Sequence, residues 1–219
     1  MTGATSMRAI MGGAFDPVHH GHLRTAVELR EALGLATLSL VPSSDPPHRP
    51  AHFASAARRL ELLEAATVDM PWCNIDDREL RRAGPSWSII SLEELRAESG
   101  DRSLCMILGM DAFLGLPTWH RWEELLGLAH LVVAHRPGWH PPTQGALGQL
   151  LDACSTSNIA DLHNNPAGHI YIQEVTQLEI SSSAIRALLA AGRDPRYLLP
   201  DSVLSLINAS GCYTGGRDQ

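Results

Sequence analysis

Cysteine is sparse and badly spaced for metal or dithiol chemistry. The four cysteines, at 73, 105, 154 and 212, form no Cys-x-x-Cys pair, which removes a zinc ribbon and a thioredoxin-type motif and leaves scattered thiols suited to a reducing compartment. Positive charge is short as well: 17 Lys and Arg stand against 24 Asp and Glu, a formal net charge of −7. No basic stripe is available to release counterions from a nucleic-acid backbone. Long apolar runs are missing, none approaching the roughly 20 residues that span a bilayer. The opening Met1-Thr2-Gly3-Ala4-Thr5-Ser6 has neither the charged nor the apolar region of a secretory leader. There is no internal repeat and no long low-complexity tract. Nucleic-acid, membrane and secreted roles recede, and a cytoplasmic location is expected.

What is present is an ordinary globular composition, 44% hydrophobic and 19% charged over 219 residues, enough to bury a sizeable core. Residues 1–219 read as a single domain with a core from about 7 to 213 and a loose tail at 214–219. Short apolar runs at 8–11, 36–41, 72–76, 103–108, 128–134 and 169–172 read as strands, with helices over 24–33, 55–68 and 88–97 and after the serines at 181–183. Residues 8–41 then make one βαβ unit, which requires parallel strands and a right-handed crossover. Residues 139–168, rich in Pro, Gly, Ser and Asn around an amphipathic patch at 146–154, read as a surface elaboration or as a subunit contact of a homo-oligomer.

The chain is organised around Met11-Gly12-Gly13-Ala14-Phe15-Asp16-Pro17-Val18-His19-His20-Gly21-His22-Leu23, which links the first strand to the first helix. Paired glycines let the backbone turn sharply and let an anion approach its N–H groups. The following helix start, with its unpaired N–H groups, favours phosphate. His19 and His22, three apart with Gly21 between them, can project into the same space as two neutral or positive donors.

Three further stretches end strands or open helices. Pro42 to Pro50 is a proline-stiffened loop at the C-terminal end of the second strand, where open α/β sheets bind ligands, although a plain connecting loop has the same composition. Gly109-Met110-Asp111 follows the most apolar strand; its carboxylate can accept from a ribose hydroxyl or cap a helix. Leu116 to Trp122 carries two tryptophans three apart, either core or a platform for a heteroaromatic ring. Near the other end, Ile180-Ser181-Ser182-Ser183-Ala184-Ile185-Arg186 opens a helix with more serines than one cap needs, and Arg186 one turn in can grip two phosphate oxygens.

Gly-Gly-x-Phe-Asp-Pro-x-His-x-Gly-His resembles the signature of the nucleotidylyltransferase superfamily, and the serine–arginine stretch resembles the motif with which that superfamily holds a triphosphate tail. From about Met7 to Tyr213 the chain is similar to the bacterial nicotinate-mononucleotide adenylyltransferases, matching also at Pro46-Pro47-His48-Arg49, Gly109 to Phe113, Leu116 to Trp122 and Arg136-Pro137-Gly138. The fold implied is α/β, a Rossmann-like doubly wound sheet, mainly parallel, with helices on both faces and a small C-terminal helical part. Carried over residue by residue, the resemblance implies that His19 and His22 are catalytic and meet ATP together with Gly12, Gly13 and Phe15. Gly109 and Asp111 would meet the adenosine ribose, and Ser182, Ser183 and Arg186 the β and γ phosphates. Trp87, Ser88 and Trp119 would receive the pyridine ring and its carboxylate, with His48, Arg49 and Arg136 by the acceptor nucleotide. The implied partners are ATP and nicotinate mononucleotide, with Mg²⁺ carried mainly by the ATP phosphates and no protein metal site. The chain departs from the family at Ala14, where Ser or Thr is frequent, and at Trp87-Ser88-Ile89-Ile90-Ser91, where Tyr-Thr-x-Asp-Thr is common.

Other readings stand beside this one. A sister transferase acting on another phosphate ester, such as phosphopantetheine, shares both phosphate motifs. A non-catalytic nucleotide-binding module should have lost His19, His22 or Arg186, and all three are present. A dehydrogenase needs Gly-x-Gly-x-x-Gly, which Gly12 to Asp16 does not supply. A zinc site at His19, His20 and His22 lacks a carboxylate or thiolate at ligand spacing.

Overall fold

The computed structural model describes residues 7–44, 52–135, 141–176 and 178–214. His48, Arg49 and Arg136, expected by the acceptor, lie outside the described residues, as do most of the 42–50 loop and residues 215–219.

Seven strands form one sheet: β1 (Arg8–Gly13), β2 (Leu38–Pro42), β3 (Cys73–Ile75), β4 (Leu104–Gly109), β5 (His130–His135), β6 (Ser155–Thr156) and β7 (Ile170–Glu174). Their order is β3-β2-β1-β4-β5-β7-β6, and every pairing among them is parallel. The helices are α1 (His20–Ala32), α2 (Ala56–Thr67), α3 (Arg78–Arg81), α4 (Ser88–Ser99), α5 (Met110–Leu114), α6 (Leu125–Leu128), α7 (Gly145–Cys154), α8 (Ile159–Asn164), α9 (Ser182–Ala190) and α10 (Asp201–Ser210).

Because side chains alternate along a strand, a sheet covered on both faces needs apolar residues at successive positions, and β4 and β5 supply them. Ala9, Leu40, Cys105, Ile107 and Val132 pack with α1, α2, α9 and α10 through Leu29, Leu62, Ile185 and Ile207. Their neighbours Ile10, Val41, Met106, Leu108 and Val133 pack on the opposite side with α4, α5 and α7 through Leu92, Phe113 and Leu151. This is the Rossmann-like doubly wound arrangement expected from the motifs. The described part of the 139–168 segment joins it, with β6 pairing to β7 and Leu147, Leu151 and Leu162 buried.

From β1 the chain winds outward through β2 and β3, then returns to β4 on the other side of β1. The two connections leave in opposite directions and open a crevice above the C-terminal ends of β1 and β4. At the other end of the sheet, Arg96 of α4 closes the fold. Its guanidinium donates to the carbonyls of Leu128 at 2.6 Å and of Gly100, Arg102 and Pro166, each at 2.7 Å.

Candidate active site

A cavity of about 650 Å³ occupies this crevice. Gly12, His19, Gly21 and His22 line it from the β1–α1 side, Gly109 and Asp111 from the β4–α5 side, and Leu178 and Ile180 from the approach to α9. The two stretches that stand 97 residues apart at Gly12 and Gly109 thus face each other across one space.

The local sequence explains how the histidines come to point there. A Cβ on Gly12 would meet nothing within 4 Å, so this glycine leaves the cavity floor open. Gly13 also makes room for Phe15: a Cβ there would lie 3.0 Å from the Phe15 ring. Phe15 adopts a positive φ of 47° and is buried, with its ring edge-on beneath His22, the centroids 5.0 Å apart. Its side chain therefore supports His22 and does not itself face the cavity. Gly21 is required by His19, whose Nδ1 and Cε1 would lie 3.0 Å from an added Cβ.

His19 is the N-cap residue of α1, and its ring stacks on that of His22 with 3.7 Å between centroids. The backbone N–H of His19 donates to Nδ1 of His22 at 3.3 Å. The neutral His22 ring then carries its proton on Nε2, which makes it a donor without a positive charge. Burial, with a smaller contribution from His19, lowers the His22 pKa to about 3. Burial followed by repulsion from His20 lowers that of His19 to about 4. Of the two states the sequence allowed, the neutral one holds for both rings near pH 7. The His19 side chain in turn faces the backbone N–H of His22, so the two residues cap the start of α1 reciprocally.

The turn that carries the pair is fixed from several distant points. Arg59 of α2 donates to the carbonyl of Ala14 at 2.8 Å, and Arg186 of α9 to that of Asp16 at 2.5 Å. Ser182 donates to the carbonyl of Pro17 at 2.9 Å. The Asp16 carboxylate, nearly buried, accepts from the backbone N–H groups of Phe53 at 2.7 Å and Ala54 at 3.2 Å and from the Tyr213 hydroxyl at 2.8 Å. Asp16, one position of the motif that links the first strand to the first helix, is thus the hub of the loop.

Ser182, Ser183 and Arg186 are not among the residues lining the cavity; they adjoin the turn beside it, and Nη2 of Arg186 donates to Oγ of Ser183 at 3.1 Å. Ser181 takes the cap by accepting from the Ala184 N–H at 3.1 Å, leaving the next two serines for other work. Asp111 sits in the first turn of α5 while Gly109 occupies the N-cap position, so the carboxylate is not the cap and stands at the cavity wall.

Trp87 is the N-cap residue of α4 and Ser88 its first helical residue, and no side chain caps that helix. The ring beside Trp87 is His120, 3.8 Å between centroids, while Trp119 leans on the same core as Trp87 without a ring contact to it. His120 lies inside the quoted tryptophan motif, but nothing in the sequence singles it out from its neighbours. Ser86 and Ser91 both donate to the buried carboxylate of Glu79, the second at 2.7 Å, which ties the start of α4 to α3. No group of three potential metal-ligating side chains is found among the described residues.

A parallel sheet with a switch-point cavity, neutral imidazole donors and a glycine floor defines a protein that holds a phosphate-bearing nucleotide. The cytidylyltransferase-like family model matches residues 10–188. A protein of Aeromonas hydrophila named "Probable nicotinate-nucleotide adenylyltransferase" is 49% identical over 204 residues, covering 93% of this chain and 95% of the relative. One of the same name from Methylococcus capsulatus is 46% identical, covering 94% and 99%. Among solved structures, nicotinic acid mononucleotide adenylyltransferase of Plasmodium falciparum complexed with NaAD superposes with a TM-score of 0.74 at 14% identity, over 97% of this chain and all of that one. The chain belongs to the cytidylyltransferase-like family and, within it, to the nicotinate-nucleotide adenylyltransferases.

Proposed function

We propose that the chain acts as one nucleotidylyltransferase domain that moves the adenylyl group of ATP onto nicotinate mononucleotide, giving nicotinate adenine dinucleotide and pyrophosphate for NAD synthesis. The observation that carries this reading is the stacked His19–His22 pair above the open glycine, in a chain 49% identical to a relative named for that reaction. The acceptor phosphate is mostly dianionic at neutral pH, because a phosphate monoester has a second pKa of about 6. It needs no general base. The barrier lies in bringing two anions together and in the charge that grows on the α-phosphoryl oxygens during in-line attack.

Nε2–H of His22 would donate to those oxygens, with the stacked His19 ring assisting beside it; the bond from the His19 N–H to Nδ1 of His22 supports this reading. Asp111 would accept from the ribose hydroxyls, and Ser182, Ser183 and Arg186 would hold the outer phosphates from beside the turn. Trp87, Ser88, His120 and Trp119 would take the pyridine end. Among the described residues Asp111 is the single carboxylate in the cavity wall, too few oxygens for a protein-built Mg²⁺ site, so this donor set suits a cation that arrives on the triphosphate with its own waters. Such a cation would supply charge neutralisation at the phosphates.

Pyrophosphate release from ATP and Mg²⁺ should be measured with nicotinate mononucleotide, nicotinamide mononucleotide and phosphopantetheine as acceptors. Preference for the first, with a dinucleotide product, is expected. Turnover with phosphopantetheine instead would discard the assignment of the pyridine side, and silence with all three from folded, ATP-binding protein would favour a non-catalytic module.

A further inference from the structure

Phe53 is among the few large apolar side chains left open to solvent, 41% exposed, and no part of the reaction as described uses it. Its ring lies under the guanidinium of Arg186, whose central carbon is 4.3 Å from the ring centroid. Both partners of this stack are set by one residue. The Phe53 N–H donates to Oδ2 of Asp16 at 2.7 Å, and Nη1 of Arg186 donates to the Asp16 carbonyl at 2.5 Å. Nε of Arg186 is buried with no partner among the described residues. The guanidinium is therefore fixed in plane by the turn and by Ser183 and supported on one face by an aromatic ring, with donor capacity to spare.

We propose that Phe53 is a positioning residue for ATP binding, the platform that holds Arg186 flat and in register for the outer phosphates. The proposal rests on the reading that Arg186 meets those phosphates. An arginine that must grip two oxygens at once gains from having its plane set before the ligand arrives, because the long side chain otherwise loses rotamer freedom on binding. Phe53 contributes this without touching the nucleotide. Its exposure follows: the ring needs a cation on one face, and the cation needs an approach for phosphate.

The test compares Phe53→Leu, Phe53→Tyr and Arg186→Lys singly, and Phe53→Leu combined with Arg186→Lys, by steady-state kinetics with ATP and nicotinate mononucleotide varied separately. Phe53→Leu should raise KM for ATP about three- to tenfold, the range a cation–π contact supports, with kcat and KM for the acceptor nearly unchanged. Phe53→Tyr should restore it, and in the Arg186→Lys background Phe53→Leu should add nothing further. Incorporating the pentafluorophenyl analogue of phenylalanine at 53 keeps the shape and removes the negative face, so it should reproduce the ATP effect even if Phe53→Leu fails to fold. Unchanged KM for ATP in both Phe53→Leu and the fluorinated protein, with Arg186→Lys impaired, overturns the platform. Unchanged KM in Arg186→Lys itself overturns the reading of Arg186, and the platform with it.

Discussion

In the proposed reaction His22 is uncharged when alone and still offers a proton to an incoming oxyanion, and the bond from the His19 N–H to its Nδ1 reconciles the two. Nearly all of this is local in the chain: cap, glycine and ring lie within four positions, and so the pair could be read from the sequence. Replacing His22 by Ala removes one preorganised donor, and kcat should fall by about 10²–10³ while circular dichroism and thermal midpoint stay near wild type. Full turnover in that variant would remove His22 from the mechanism. What could not be read is the support of the turn. Asp16 accepts from Phe53, Ala54 and Tyr213, partners 37 to 197 residues away, and no local pattern reports such distant donors. Nor does a local pattern report that the buried Phe15 ring, on a backbone of positive φ, lies edge-on beneath His22.

Elements with strong periodicity or long apolar runs stand close to where the sequence placed them. The strand expected at 103–108 is β4 and the helix expected at 88–97 is α4, extended by two residues to Ser99. Elements too short to show a period escaped: β6 has two residues and α6 four. Of the C-terminal helical part that the resemblance implies, the bounds of α10 went unread, although Asp201 in its first turn, buried Val203 and Ile207, and Gly211 in the left-handed region at its end are ordinary signals. Between elements, Arg96 is the fastening least visible beforehand, since its acceptors Leu128 and Pro166 belong to separate segments. Arg96→Met keeps the stem and leaves several carbonyls without donors. It should cost about 1–3 kcal/mol of stability, measured by urea denaturation, with KM for both substrates unchanged; an unaltered midpoint would show that water satisfies these carbonyls as well.

For the whole molecule, the depressed histidines link the site to stability. The folded state holds His22 near 3 and His19 near 4, against an ordinary value of 6.5. Between those limits the unfolded chain binds more protons than the folded one, so stability should be intact above about pH 6.5 and fall as pH drops toward 4. Thermal midpoints recorded from pH 7.5 to 4.5 should decline, and His22→Gln should flatten the slope. An equal slope in that variant would place the acid sensitivity elsewhere. No described helix is long and apolar enough to cross a membrane.

The hydroxyl of Tyr213 meets a carboxylate 197 residues earlier in the chain, in the loop that aims the two imidazoles. During synthesis, the first strand and its turn leave the ribosome long before this partner exists, and Asp16 waits with one of its acceptor sites unfilled until residue 213 has been made. The loop is thus translated well before it can be completed.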